Sequence, residues 1–313
     1  MKIENVCKEL ENIYEQVGIV FHCDADGVCS AAQILKYFKN KGVETFLVSG
    51  ELEEKTFEKL PEKYKTAVIL DLPVDYHVSW LKRFCSAVII DHHIPKKNLN
   101  DYGFIHFNPR FENPKLYIST SEICYEICKN LGVKNIKWIS RIGGVGDRSI
   151  KGNQKEVKAV DYIHAAKIIK GENFLSKVAE ILSECKDIED FLSKKEFETM
   201  SKKVRKEINK WVEKFYPKEE VCFYEIETPY SIISIVANEI FDKYPEKTVI
   251  VYGFKDGVFK ISGRSRKYNL GEIFHKAAKG IGKGGGHEVA AGARIDGDKI
   301  QLFISRLKKF LRE

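Results

Sequence analysis

The sequence has no apolar run near the roughly 20 residues that cross a bilayer; Ala87-Val88-Ile89-Ile90 is among its longest. Its first residues, Met1-Lys2-Ile3-Glu4-Asn5, carry no apolar signal core, so a cytoplasmic protein without membrane association is the expectation. No Cys-x-x-Cys pair occurs among the eight cysteines. Scattered in this way, they read as reduced thiols rather than disulfides or a zinc site. Cys124 and Cys128 fall four apart on an expected helix and read as small core residues. There is no internal repeat and no low-complexity segment. What is present is ordinary for a soluble globular protein: 43% apolar and 31% charged residues, which excludes a disordered chain or a fibre. A length of 313 residues leaves room for two domains.

The net charge is +7, and its location says more than its size. Residues 1–150 hold 20 basic and 20 acidic side chains, and residues 151–260 again hold 20 of each. Residues 261–313 hold 12 basic and 5 acidic, so the whole excess lies there. Such polarisation suits an anionic ligand, nucleic acid above all. The bland alternative is a solvated charged face.

Apolar runs at 17–22, 66–71 and 87–91 read as buried strands, each ending on a polar or acidic residue. A helix over 28–39 and a strand over 44–48 are expected between the first two. This alternation predicts a parallel α/β sheet. Ligands of such sheets bind beyond the carboxyl ends of the strands, so the acidic endings converge on one crevice. The chain divides into an α/β catalytic domain over 1–193, a charged helical linker over 194–218 and a smaller α/β domain over 219–313. In the last, strands are expected at 221–226, 248–254 and 258–263, with a hairpin turn at Lys255-Asp256-Gly257. Helices are expected at 231–244, 270–279 and 299–311, with a Gly-rich loop before the final one.

The first strand ends in His22-Cys23-Asp24-Ala25-Asp26-Gly27. Two carboxylates two apart at a strand mouth can face a pair of cations, and Gly27 allows a sharp turn there. Asp71 ends the next strand and Asp91-His92-His93 the third. Gly143-Gly144-Val145-Gly146-Asp147-Arg148 sets another acid in a Gly-rich turn after a helix. Oxygen ligands mixed with imidazoles suit Mn²⁺ or Mg²⁺, with Co²⁺ and Zn²⁺ as further options. A bridging carboxylate would hold two ions roughly 3.5–4 Å apart, the spacing of phosphoryl chemistry. Singly, each piece has an ordinary explanation, since a strand-end Asp often caps the next helix. Four in order do not. His77, His106, His164 and His275 lack a partner motif and read as surface or core residues. Asp75 reads as a turn acid, and Thr120 with Ser121 as a helix start.

The Asp91-His92-His93 triplet, with Asp24-Ala25-Asp26-Gly27 and Gly146-Asp147, resembles the motifs of the DHH family of phosphoesterases. The resemblance covers most of the chain. It implies Asp24, Asp26, Asp71, His92 and Asp147 as ligands of two divalent metal ions, with Asp71 as the bridge. His22 is implied as a further ligand; its spacing of one residue from Asp24 looks like that of the RecJ-like nucleases of archaea. The resemblance also gives His93 a role in orienting the site or contacting the scissile phosphate, with Asp91 behind it as support. Gly284-Gly285-Gly286-His287, followed by Ala290-Ala291-Gly292, resembles a motif of the DHH-associated domain. Arg264 and Arg266 match that domain's substrate-binding arginine segment, where guanidinium forks suit phosphate oxygens.

These features predict a two-metal phosphodiesterase, with Mn²⁺ the first choice of ion, acting as an exonuclease on single-stranded DNA or RNA. An alternative is a nanoRNase-type enzyme on short oligonucleotides, or a phosphatase of 3′-phosphoadenosine 5′-phosphate. A non-catalytic replication scaffold is a third reading, against which the presence of Asp24, Asp26, Asp71, Asp91 and Asp147 counts. The resemblance also admits a replication or repair protein partner and a homodimer.

Overall fold

The computed structural model describes residues 2–255 and 257–311, so Asp256 of the expected hairpin turn lies outside the described residues. The chain forms two compact units, Met1–Ser201 and Lys202–Glu313.

In chain order the first unit carries α1 (Ile3–Glu11), β1 (Gln16–His22), α2 (Ala25–Lys41), β2 (Glu44–Gly50), α3 (Glu54–Glu58), β3 (Thr66–Leu70), β4 (Ser86–Ile90) and β5 (Ile105–Phe107). There follow α4 (Thr120–Asn130), α5 (Lys137–Gly146), α6 (Gln154–Lys170), α7 (Leu175–Glu184), α8 (Ile188–Leu192) and the start of α9 (Lys195–Lys214). The strands form one parallel sheet in the order β2-β1-β3-β4-β5. Parallel strands covered on both faces need near-continuous apolar sequence. β1, β3 and β4 supply it: Val17, Ile19, Val20 and Phe21, residues 67–70, and residues 87–90 are all at most 1% exposed. Helix ends are fixed by local chemistry. The Asp24 side chain caps α2 by accepting the Gly27 N–H, and Gly42 stops that helix at φ 77°. Capping boxes, Ser119 with Glu122 and Asn153 with Glu156, start α4 and α6.

The second unit carries β6 (Val221–Glu225), α10 (Ile233–Lys243), β7 (Thr248–Lys255), β8 (Val258–Arg264), α11 (Leu270–Ala278), β9 (Gly282–Gly286), β10 (Ala290–Asp296) and α12 (Ile300–Phe310). Its sheet runs β6-β7-β8-β10-β9, parallel between β6 and β7 and antiparallel elsewhere. Ile261, Ala291 and Ile295 point into a core shared with Phe274 of α11 and with Phe303 and Leu307 of α12. Within the charged stretch expected as a linker over 194–218, Lys195–Lys214 form one 20-residue helix, α9, and the first unit ends inside it, at Ser201.

Two expectations about glycine are corrected. Gly284, Gly285 and Gly286 are not a loop but an edge strand paired with β10. A Cβ on Gly284 would sit 2.7 Å from the Phe274 carbonyl oxygen, so this strand can lie against α11 only without side chains there. Likewise Gly143, Gly144 and Gly146 do not form a turn; they are the last turns of α5. A Cβ on Gly143 would sit 2.2 Å from Ser121 Oγ, and one on Gly146 would sit 2.5 Å from the Ala25 Cβ. In both places close packing overrides the low intrinsic propensity of glycine.

Candidate metal centre

The strand order reverses direction between β1 and β3, which leaves a crevice beyond their carboxyl ends. His22 ends β1, and Asp24 and Asp26 follow at the start of α2. Asp71 is the residue after β3 and has φ 60°, a left-handed conformation that aspartate tolerates better than most side chains. Asp91, His92 and His93 leave β4, and Asp147 caps the C-terminal end of α5.

These side chains meet. His22 Nδ1 lies 2.8 Å from Asp24 Oδ2 and 3.6 Å from Asp71 Oδ2. His92 Nε2 lies 3.3 Å from Asp71 Oδ1, while its Nδ1 faces Asp147 Oδ2 at 3.7 Å. Three overlapping trios have ligand atoms within 4.8 Å of one another: His22-Asp24-Asp71, Asp26-His92-Asp147 and Asp71-His92-His93. Asp71 belongs to two of them. Asp91 stands behind, its Oδ1 2.8 Å from His93 Nδ1, and His93 Nε2 has no hydrogen bond among the described residues.

Helix N-termini support the acids. Both Asp26 oxygens accept backbone N–H groups at the start of α4, from Thr120 and Ser121, each at 2.8 Å. Thr120 Oγ1 also donates to Asp71 Oδ1 at 3.1 Å. Thr120 and Ser121 are therefore a helix start, as expected, and in addition hold two of the acids. Gly27 is needed for close approach rather than for a sharp turn: a Cβ there would fall 2.1 Å from the His22 carbonyl oxygen.

The electrostatics are those of a crowded acid cluster. Burial, followed by the charges of Asp71 and Asp24, pushes the Asp26 carboxyl well above its usual range. Burial also raises Asp147, partly offset by His92. Burial opposes charge on the two imidazoles, but carboxylate partners outweigh it. Asp71 leads in raising His92 to about 9, and Asp24, Asp71 and Glu51 together raise His22. His22 in turn outweighs burial at Asp24 and lowers its carboxyl. Two buried atoms that face each other, His92 Nδ1 and Asp147 Oδ2, have no hydrogen-bond partner among the described residues. Carboxylate oxygens and imidazole nitrogens set in overlapping trios, with unsatisfied atoms among them, fit divalent cations.

Sequence reasoning missed Glu51, one residue past β2. Its Oε2 lies 3.2 Å from His22 Nε2, and its Oε1 accepts from Lys167 Nζ at 3.1 Å and from Cys23 Sγ at 3.1 Å. His22, Cys23 and Glu51 could also converge on an ion. The Lys167 ammonium on Glu51 opposes that, and burial pushes the Cys23 thiol up to about 11. The trio is built to hold His22. The strand-end rule that found Asp71 would have found Glu51, had β2 been read two residues further.

Other residues take structural places. Asp75 Oδ2 accepts from the backbone of Lys96 and Lys97, and His106 Nδ1 accepts from Leu99 N. Cys124 and Cys128 are buried. In the second unit, Arg264 donates to Asn238 Oδ1 of α10 and to Ser262 Oγ, Arg266 lies over the Phe241 ring, and His287 is exposed just past β9.

Comparison with known proteins supplies the family and the fold. Residues 16–143 match the model of the DHH family, N-terminal domain, and residues 218–313 match that of the DHHA1 domain. The chain belongs to the DHH family of phosphoesterases, and its fold is RecJ-like. RecJ of Thermus thermophilus in complex with Mn²⁺ superposes with a TM-score of 0.76 at 15% identity, over 98% of this chain and 54% of that one. An exonuclease RecJ bound to manganese gives a TM-score of 0.71 at 14% identity, over 99% and 94%. The uncharacterized protein MJ0831 of Methanocaldococcus jannaschii is 33% identical over 96 residues, 29% of this chain and 22% of that protein. The chain thus spans about half the length of the Thermus RecJ, and the sequence match covers about a fifth of the M. jannaschii protein.

Proposed function

We propose that this protein is a metal-dependent exonuclease that hydrolyses phosphodiesters of single-stranded nucleic acid. The observation that carries the reading is the meeting of His22, Asp24, Asp26, Asp71, His92 and Asp147 beyond the carboxyl ends of the strands, with His92 Nδ1 and Asp147 Oδ2 left without hydrogen bonds among the described residues. His22, Asp24 and Asp71 would hold one divalent ion and Asp26, His92 and Asp147 a second, with Asp71 shared. Mn²⁺ or Mg²⁺ suits this donor set, and the RecJ structures above carry manganese. When bound, such a pair neutralises charge on phosphoryl oxygens and lowers the pKa of water.

The remaining steps belong to the chain's own residues. Asp91 holds His93 Nδ1 and so fixes the ring, leaving Nε2 to donate a hydrogen bond to a phosphoryl oxygen. The carboxylate raises the His93 pKa against the effect of burial, which favours that donor form. Thr120 and Ser121 keep Asp26 and Asp71 in place. In the second unit, Arg264, Arg266, Gly284, Gly285, Gly286 and His287 would bind the nucleic acid.

The test is hydrolysis of end-labelled single-stranded DNA and RNA 20-mers, dinucleotides and 3′-phosphoadenosine 5′-phosphate, with Mn²⁺ and with chelator. Stepwise shortening of the 20-mers that stops with chelator is expected. Asp71→Asn, which keeps a side chain suited to the left-handed backbone, should abolish it. Full activity in that variant would refute the shared-aspartate site. Turnover of dinucleotides or the mononucleotide alone would replace the exonuclease with a small-substrate enzyme.

A further inference from the structure

Beside the acid cluster of the first unit stands an aromatic ring that is held in place yet left largely in water. Tyr117 lies three residues before α4 and belongs to no helix or strand. Its side chain is 51% exposed. Three contacts fix it all the same. The hydroxyl donates to the Asp147 carbonyl oxygen at 2.8 Å. The ring centroid lies 5.8 Å from that of His92, with the two planes tilted by 57°. The Arg110 guanidinium sits 5.6 Å from the same centroid. Tyr14, Tyr76, Tyr102 and Tyr216 are also exposed, and none of their hydroxyls has a hydrogen bond among the described residues.

Neither packing nor hydrogen bonding calls for tyrosine at this position. A ring half in water adds little burial to the fold. The hydrogen bond to Asp147 is at the surface, where water serves an orphan helix-end carbonyl as well. What the three contacts achieve together is a flat apolar surface held still beside His92 and Asp147. Ordering a side chain in advance of binding removes that cost from the binding step. Ile94 and Leu116, the chain neighbours of His93 and Tyr117, are exposed apolar side chains too.

We infer that Tyr117 is a stacking platform for a nucleobase flanking the scissile phosphate. The inference rests on the proposed nuclease function and deepens it by adding a base site to the first unit. The ring touches the side chain of one proposed ligand and the backbone of another. The base it meets therefore belongs to a nucleotide next to the phosphate at those ligands. Every base has a π-face, so stacking of this kind tolerates any sequence. It does not tolerate a missing base. The centre acts on nucleoside phosphodiesters of any sequence and stalls where the base is absent.

The test compares Mn²⁺-dependent hydrolysis of single-stranded 16-mers by the full-length wild type, Tyr117→Phe and Tyr117→Leu. The strands are intact or carry an abasic residue at the first or second position from the end that wild type shortens. Stacking on an aromatic side chain is worth about 5- to 150-fold per base. Wild type should lose about tenfold in kcat/KM at one of the two abasic positions. Tyr117→Phe keeps the ring and should keep that ratio of intact to abasic turnover. Tyr117→Leu should bring the ratio close to one, with Mn²⁺ affinity unchanged. Equal turnover of intact and abasic strands by wild type would overturn the platform. So would a ratio that stays near tenfold in Tyr117→Leu, since the residue would then only prop Asp147. A second readout needs no turnover: 2-aminopurine at the same positions, bound with Ca²⁺ in place of Mn²⁺. Wild type and Tyr117→Phe should quench its fluorescence, and Tyr117→Leu should not. If strands are bound with this pattern but none is hydrolysed, the base site stands and the nuclease reading fails. Hydrolysis without the pattern sinks the platform alone, and a protein that neither binds nor cuts strands sinks both.

Discussion

Glu51→Ala tests whether His22 is aimed by the residues behind it. Glu51 Oε2 takes one ring nitrogen of His22 at 3.2 Å, leaving Nδ1 toward Asp24 and Asp71. The carboxylate is itself held by Lys167 and Cys23, so the hydrogen bond is pre-oriented. Partners that orient a ligand imidazole are worth about 10- to 100-fold in metal affinity. The Glu51 side chain is 50% exposed, so water can take over part of its role and the lower end applies. The expected loss is about tenfold in Mn²⁺ affinity, or about 1.4 kcal/mol. Glu51→Gln keeps an acceptor for Nε2–H but not the charge. A neutral hydrogen bond has roughly half the strength of a charge-assisted one, so about a threefold loss is expected. The assay is calorimetric titration of the metal-free protein with Mn²⁺, beside ¹⁵N shifts of the His22 ring. Wild-type affinity in the alanine variant, with an unchanged ring tautomer, would refute the positioning role.

Two further perturbations address the scaffold. Gly143→Ala in a solvent-exposed helix would stabilise it, but here the methyl group would meet Ser121 Oγ at 2.2 Å and Asp26 Oδ1 at 3.0 Å. Overpacking of this kind costs about 1–3 kcal/mol, so thermal unfolding should show a Tm lower by roughly 5 °C, with weakened Mn²⁺ binding; an unchanged or raised Tm would contradict the contact. Glu156→Gln bears on pH. Glu156 is buried at the start of α6, and the Arg141 guanidinium is the main influence lowering its carboxyl pKa against burial. A depressed pKa gives stability that is complete above the unfolded value of about 4.3 and is lost as pH falls through the folded value. Denaturant titration should therefore show wild type about 1 kcal/mol more stable than the variant at pH 7, the difference closing below about pH 4; a gap that persists at pH 3 would exclude this charge as its source.

The parallel sheet was legible because β1, β3 and β4 are buried on both faces and must be apolar throughout. Their acidic endings were legible for the same reason, since a charge ends such a run abruptly. What stayed hidden was set by packing between elements distant in sequence. Nothing local distinguishes Gly143-Gly144-Val145-Gly146 as helix; contact with Ser121 and Ala25 does so. The β9 strand is five residues of glycine and lysine, and β10 begins Ala-Ala-Gly-Ala with Ile295 as its one branched residue, so neither carries the run of branched or aromatic residues that announces a strand. The three-residue β5 is too short for any periodicity. Glu51 was lost to a boundary error of two residues, the ordinary scale of uncertainty at an element's end.

The acid cluster also explains why these particular elements surround it. Asp26 and Asp71 are each 2% exposed or less, and leaving several buried carboxylates uncompensated would cost the fold heavily. Compensation comes in layers. The N-terminus of α4 spends two backbone N–H groups on Asp26, and that of α2 spends the Gly27 N–H on Asp24. His22 and His92 add positive charge from neighbouring strand ends. Even so, Asp26 and Asp147 remain above their usual pKa, so the built-in donors do not balance the acids. The residual deficit lies between Asp26, His92 and Asp147, where two polar atoms also lack hydrogen bonds among the described residues. Charge and hydrogen-bond capacity run short at the same place. Under the proposed function, a divalent ion at that trio would remedy both, and its binding should raise the unfolding temperature of the first unit.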